Sequence, residues 1–595
     1  MTTDDVLYRE AARPSDPEAR DRGVHPGRQV LAAGSVHAKG AMPLPCDLHL
    51  DRDETITLRD GVTLRADVWR PALTGTFPTV LAYTPYGKAG GYWGLDIFPF
   101  RAGVPRSAVS GLQSFESPDP AYWCAHGYAV VVVDARGSYH SEGDMRWWGT
   151  QGAEDGYDVV EWVAAQPWST GKVAMTGNSQ LAIIQWFIAA ARPPHLSAIA
   201  PWEGLTDMYR DNLARGGIPF PGFNEDVLDH QYGEHRIEDI PAMIEREPLL
   251  DSVHWADKRA RVEEIDVPAY VVASYTNPLH AAGTLEAFRR LPATTPAWLR
   301  IHNTMEWPDY YEPGNVEDLR RFFDHALRDV DNGWETTPRV RASIIDLGGD
   351  DEVDVPLEAW PSPDAVPGTW HLDAGSGALL DTVPGTDATV EHRADGAGRS
   401  TFEIRLDHEL VTAGPGAVRL WVEAVGSDDL DVFVLVEKLS RRRRARYRIL
   451  MPPPVAALGR VMHTAYRLGR LKYGFIFYRG PEGRLRASHR ALDPEGSTEL
   501  EPVPLHTRVE KLTPGEVVPL DIALSPAMLR WRPGETLRLT VADHDPRGHW
   551  FPEVPPVTTI NRGTHRIHTG PGHDSTLRFA VRPTPTGSIT AEGSR

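Results

Sequence analysis

The chain has 595 residues, more than a single hydrophobic core accommodates, so two or three domains are expected. Its 82 acidic residues outnumber 62 basic ones, and the net charge of -20 argues against a nucleic-acid binder. Two cysteines, Cys46 and Cys124, make no disulfide framework; no run is apolar enough to cross a bilayer and no leader pattern opens the chain, so a cytoplasmic protein with no membrane partner is expected.

Residues 1–45 are polar and rich in Arg, Asp and Pro, and read as an extension that lies on the surface or is partly disordered. Residues 54–70 alternate apolar and polar around Asp60-Gly61, the signal of a β-hairpin. Apolar runs at 77–83 and 128–133 read as buried strands, and a helix is expected over 153–166. Another short apolar run, 173–176, leads into Gly177-Asn178-Ser179-Gln180. From there Leu181, Ile184, Ile188 and Ala191 recur at helical spacing. A strand follows at 196–200. Continuous apolar strands alternating with helices mean a parallel sheet covered on both faces.

Residues 205–262 interrupt this rhythm with charged helical pieces and read as a helical cap inserted over the sheet's C-terminal edge. The rhythm resumes with strands at 269–273 and 297–301 and helices around 284–290 and 316–327. The two parts of this parallel-sheet domain are therefore expected over 46–204 and 263–340. From 341 to 595 short strands are punctuated by Pro and Gly, at 401–406, 417–425, 431–438, 518–524, 536–542 and 575–581. That spacing predicts a β-sandwich of the jelly-roll kind. The basic run 441–446 falls between strands and reads as a solvated loop.

Strand, tight turn and helix with Ser179 at the apex is the layout of a nucleophile elbow. A serine hydroxyl is a weak nucleophile. It has to project from a sharp turn where a base reaches it, next to backbone N–H donors for the oxyanion. The bland alternative is that Ser179 merely caps the helix. The usual Gly-x-Ser-x-Gly pattern is incomplete, because Leu181 stands two residues after the serine and the small residue arrives at Ala182.

Several further stretches occur in order: Asp134–Gly143, Gln166–Ser179, Pro194–Gly204, Arg321–Gly333 and Gly483–Ser488. Together they resemble the cocaine-esterase-like and X-prolyl dipeptidyl-peptidase-like serine hydrolases, the CocE/NonD group, over residues 50–583. The resemblance implies an α/β-hydrolase domain, a helical cap and a C-terminal jelly roll. It implies Ser179 as nucleophile, with the Gln180 backbone N–H and the Tyr86 hydroxyl as oxyanion donors. It implies no cofactor. A homodimer is expected by analogy.

Two triad positions depart from the family. The acid's place reads Ser274-Tyr275-Thr276-Asn277, an amide for a carboxylate. The histidine's place, in Ile301-His302-Asn303-Thr304-Met305-Glu306-Trp307, carries Glu306. Asn277 cannot serve as a base, and Glu306 can do so only if burial raises its pKa. His302 and His280 are the alternative bases; either is equally an ordinary hydrogen-bonded structural histidine. Asn277, Glu306 or Asp207 would orient the base. Trp148, Trp202 and Trp307, with Trp147, lie near strand ends and suggest an apolar acyl pocket, although core packing explains tryptophans equally well. No metal-ligand spacing and no phosphate loop is found in the sequence. The expected function is hydrolysis of a small-molecule ester or amide through an acyl-enzyme. The alternatives are acyl transfer on the same scaffold, or a catalytically inactive ligand-binding relative.

Overall fold

The computed structural model describes residues 6–451 and 459–583. In chain order the strands are β1 (Tyr8–Glu10), β2 (Gly27–Leu31), β3 (Leu48–Thr57), β4 (Thr63–Pro71), β5 (Phe77–Thr84), β6 (Ala129–Asp134), β7 (Ser169–Asn178), β8 (Leu196–Trp202), β9 (Arg236–Glu238), β10 (Ala269–Ser274), β11 (Ala297–His302), β12 (Val340–Ile344) and β13 (Glu352–Leu357). The helices that cover them include α1 (Pro120–Ala125), α2 (Gly149–Ala164), α3 (Gln180–Ala190), α4 (Gly222–Asp229), α5 (Ile240–Arg246), α6 (Val253–Asp257), α7 (Ala281–Arg290), α8 (Glu306–Tyr310) and α9 (Pro313–Arg328).

An 11-stranded sheet runs β13-β12-β11-β10-β8-β7-β5-β6-β4-β3-β2. From β12 to β6 neighbouring strands are parallel. Its central strands are buried on both faces, with every residue of β5, β6, β10 and β11 inside. That is why they read as unbroken apolar runs. The antiparallel hairpin β3–β4 closes where expected, with Gly61 at φ 87° after Asp60.

Two departures concern the edges. The N-terminal extension is woven into the fold: β1 pairs with β9 in the cap, and β2 forms the outer strand of the sheet. Strand β2 is largely solvent-exposed, so no apolar alternation announces it; it is held by backbone pairing to β3. At the other end β12 and β13 carry the sheet on to Leu357, past the boundary expected at 340. The insertion between β8 and β10 holds α4, α5 and α6 with short irregular turns.

The rest is a mostly antiparallel, strand-rich domain. Expected strands appear at Arg399–Arg405, Leu410–Val425, Asp431–Leu439, Val517–Ala527, Thr536–Ala542 and Thr576–Val581. Strands at Val366–Asp373, Ala388–Arg393 and Thr564–Thr569 were not legible. In the last, the buried positions are His565, Ile567 and Thr569, so two of three inward residues are polar. A helix, Gly459–Arg467, interrupts the strands. The basic run is a loop tied to its neighbours, with Arg443 paired to Glu403 and Arg441 donating to the Pro533 carbonyl. Among the described residues no helix is long and apolar enough to cross a membrane.

Candidate active site

Strand β7 ends at Asn178 and α3 begins at Gln180, so Ser179 is the single joint between them. Its backbone sits at φ 54° and ψ -115°, a strained conformation for a residue with a Cβ. The turn is closed by packing. A Cβ on Gly177 would lie 2.4 Å from the Leu181 Cβ, so only glycine allows α3 to start this close to β7. The Ser179 side chain does not cap α3. Its Oγ lies 3.1 Å from Nε2 of His280 instead. The helix-cap reading of this serine is thereby excluded.

His280 immediately precedes α7, in the loop that leaves β10. Two contacts fix that loop: Leu279 N–H donates to the Asn277 side-chain oxygen at 3.0 Å, and Arg215 donates to the Pro278 carbonyl at 2.9 Å. The imidazole is 3% exposed, and burial depresses its pKa to about 3. Its Nδ1 has no hydrogen-bond partner. His280 is thus a neutral imidazole aimed at the serine, without the carboxylate that ordinarily supports a histidine so placed.

His302, the other candidate base, is committed elsewhere. Its Nε2 lies 2.5 Å from the Glu203 carboxylate, and its Nδ1 accepts from the Thr304 N–H at 3.3 Å. The two positions where the acid and histidine were sought meet in the same cluster. The Asn277 amide donates to Glu203 at 2.9 Å and to Glu306 at 3.0 Å. Burial raises the Glu306 pKa well above normal, and the charges of Glu203 and Glu116 add to this. Asn277 therefore acts as a neutral bridge between carboxyls. It hydrogen-bonds neither histidine. An aspartate there would be one more carboxyl in a crowded buried set. Asp207, also considered as an orienting acid, is bonded to the Arg210 N–H, where it caps the helical turn Met208–Leu213.

Tyr86 follows β5, with its ring edge-on to Phe115 at 5.3 Å and tilted against Trp93 at 5.8 Å. Burial, with the carboxyls of Glu116 and Glu306, lifts its pKa well above 10, so the phenol keeps its proton. The three tryptophans play different parts. The Trp148 indole donates to the Gln180 side chain at 2.7 Å and steadies the first residue of α3. Trp307 stacks on Phe98 at 4.3 Å and donates to Glu116 at 3.0 Å. Trp202 does not reach a substrate surface. It is fully buried, donates to Asp309 at 3.0 Å and lies beneath the Arg300 guanidinium.

Two residues here were missed from sequence, Glu116 and Glu203. Both are buried with positive φ, 64° and 60°. Glu203 lay inside a quoted motif, yet a lone glutamate after a strand carries no signal. The long loop holding Glu116 resembles no motif at all. Among the described residues no His, Cys, Asp or Glu group could hold a metal ion.

A serine on a strand–helix elbow, paired with a histidine from a loop two strands along a mostly parallel sheet, defines a serine hydrolase of the α/β class. The comparisons agree. Residues 60–247 match the X-Pro dipeptidyl-peptidase (S15) family and residues 332–578 match the X-Pro dipeptidyl-peptidase C-terminal non-catalytic domain. A crystal structure of a CocE/NonD family hydrolase from Staphylococcus aureus superposes with a TM-score of 0.83 at 30% identity, covering 94% of this chain and 97% of that one. A putative serine esterase of Mycobacterium bovis is 24% identical over 86% of this chain and 93% of its own length. The cocaine esterase of a Rhodococcus species is 34% identical over 26% of this chain and 24% of its own. The chain belongs to the CocE/NonD family of hydrolases.

Proposed function

We propose that this protein cleaves a small-molecule ester or amide at Ser179 through an acyl-enzyme, with His280 in place of the family's usual base. The observation that carries the reading is the 3.1 Å approach of Ser179 Oγ to His280 Nε2 at the elbow. His280 takes the serine proton as Oγ bonds to the carbonyl carbon, and returns it to the leaving group. Tyr86 and the Gln180 N–H hold the oxyanion. Without a carboxylate at Nδ1 the imidazolium is poorly stabilised, so acylation is slow for the fold and depends on the leaving group. Aromatic rings run from Tyr86 through Phe115 and Phe98 to Phe475 and Phe551 of the C-terminal domain, which supports an apolar acyl group. The free Cys46 and Cys124 suit a cytoplasmic location.

Labelling with a fluorophosphonate, followed by peptide mass spectrometry, tests this. Stoichiometric modification of Ser179, absent from Ser179→Ala and abolished by His280→Ala, is expected. An unlabelled, folded protein would overturn the acyl-enzyme mechanism.

A further inference from the structure

The loop that carries His280 also forms a wall of a cleft between the α/β domain and the C-terminal domain. The cleft is lined by Phe220, Leu279 and Trp550, and by Arg215, Arg484 and Arg547. Leu279 immediately precedes His280, and the Pro278 carbonyl before it accepts from Arg215 at 2.9 Å. Trp550 lies 5.8 Å from Phe551, where the row of rings from Tyr86 ends. The lining thus joins apolar rings to cations, next to the base of the proposed reaction.

These cations are unequally paired. Glu482 meets Arg547 at 2.6 Å and Arg215 at 3.6 Å, and Asp545 meets Arg547 at 3.3 Å. Asp211, the other carboxyl whose charge reaches Arg215, accepts from the N–H groups of Thr206 and Asp207. Arg484 lies two residues after Glu482 on the strand Glu482–Arg486, so both side chains leave the same face. It forms no ion pair with any described residue, and its buried Nη1 has no hydrogen-bond partner among them. Burial, and then the Arg215 charge, lower its pKa to about 9, so it remains a cation at neutral pH. Nη1 of Arg547 and Nε1 of Trp550 are likewise buried without partners among the described residues. The Arg547 guanidinium lies over the Trp550 ring, 5.5 Å from its centre, which keeps these two donors together. Three N–H donors therefore border one cleft, and buried donors and cations left without an acceptor are costly.

We propose that this cleft is a carboxylate-binding site, in which Arg484, with the unpartnered N–H groups of Arg547 and Trp550, takes the carboxylate of an organic anion whose apolar body lies against Phe220, Leu279 and Trp550. A guanidinium fork matches a carboxylate, and an indole N–H can only donate, so the set selects an acceptor with several lone pairs and rejects a cation. Three guanidinium groups facing Glu482 and Asp545 leave one positive charge, which a single carboxylate neutralises. The carboxylate is either the substrate's own or that of a separate molecule bound beside the His280 loop. The first source rests on the acyl-enzyme reading; the binding itself does not.

The test titrates benzoate into full-length Ser179→Ala by calorimetry, a readout independent of turnover. Binding is expected, and adding Arg484→Met should weaken it roughly 10- to 100-fold, the loss of hydrogen bonds to a charged group. Because Arg484→Met removes a buried unpaired cation, it should melt no lower than its parent. Should it melt early, Arg484→Lys, which keeps the charge but not the fork, decides the matter by an intermediate affinity. Turnover by the enzyme with Ser179 intact then separates the two sources. If the carboxylate is the substrate's own, mono-p-nitrophenyl glutarate exceeds p-nitrophenyl butyrate in kcat/KM, benzoate competes with it, and Arg484→Met removes the preference. If it belongs to a separate molecule, the two esters are turned over alike and benzoate does not compete. No benzoate binding, or equal affinity with and without Arg484, would overturn the site whatever Ser179 does. Intact binding in a protein that fluorophosphonate leaves unlabelled would overturn the acyl-enzyme reading alone.

Discussion

The two sides of the active site were built under different rules. On the elbow side, β7, Ser179 and α3 are consecutive in the chain, and the geometry follows from residues that touch their own neighbours. On the far side, the end of β11 and the loops after β10 and β11 supply His302, Asn277, His280 and Glu306, and Asn277 meets Glu306 from 29 residues away. There the histidine that reaches the serine is His280, while His302 meets Glu203 instead. A chain of local contacts fixes how Ser179 is presented; a histidine that need only arrive within 3.1 Å can come from any loop that reaches it.

The largest effects should separate the two histidines. Ser179→Ala and His280→Ala are each expected to cost on the order of 10⁴–10⁶ in kcat, because nucleophile and base act as a unit. His302→Ala that matches either loss in turnover, with normal melting, would reverse the assignment. Its expected effect lies in stability. Removing the ring leaves one Glu203 oxygen buried without its partner, while Asn277 still holds the other, at a cost of roughly 1–3 kcal/mol in a urea titration. His302→Gln, which can still donate to Glu203, should recover much of that loss.

A smaller effect probes why an amide stands at the acid position. Asn277→Asp adds a carboxyl beside Glu203 and Glu306 and should destabilise the fold by about 1–3 kcal/mol near neutral pH. The new group's folded pKa would be raised, so the penalty should shrink as pH falls toward the ordinary carboxyl range and grow as pH rises. Equal urea midpoints for Asn277→Asp and wild type at both ends of that range would refute the crowding argument.

The smallest expected effect is a slope. Burial lowers the His280 pKa from 6.5 to about 3, so its contribution is present above 6.5 and lost as pH falls toward 3. His254, His506 and His565 are lowered to about 3 by the same cause. Glu116 and Glu306 act in the opposite sense, because their raised pKa values favour folding at low pH and that share is lost as pH rises. His280→Gln should therefore show a shallower loss of urea midpoint on acidification than wild type. The rate of Ser179 labelling, meanwhile, should show no break near 6.5. A break there would mean a base with an ordinary pKa, and so a different residue.

The central sheet, the elbow and its serine were legible because each is a local pattern: unbroken apolar runs between helices, and a glycine two residues before the serine. Edge strand β2 was not, since an exposed strand held by backbone pairing needs no apolar signature. That Asn277 and Glu306 depart from the family's pattern was an expectation from the sequence; that the two hydrogen-bond each other was not legible. Two histidines were left open because nothing local distinguishes a ring that meets a serine from one that meets a glutamate. Glu116 was invisible, a single acidic residue in a long loop.

By itself, then, the sequence determined the order of the domains, the parallel sheet and the elbow that presents Ser179, all of which depend on periodicity and on turns between adjacent residues. Only the tertiary structure decided that His280 rather than His302 approaches Ser179, that Trp202 is core, and that Glu116 is buried against Trp307. These depend on distances between residues remote in sequence and on the absence of water around them, and burial is what turns an ordinary histidine or glutamate into a group with a different charge.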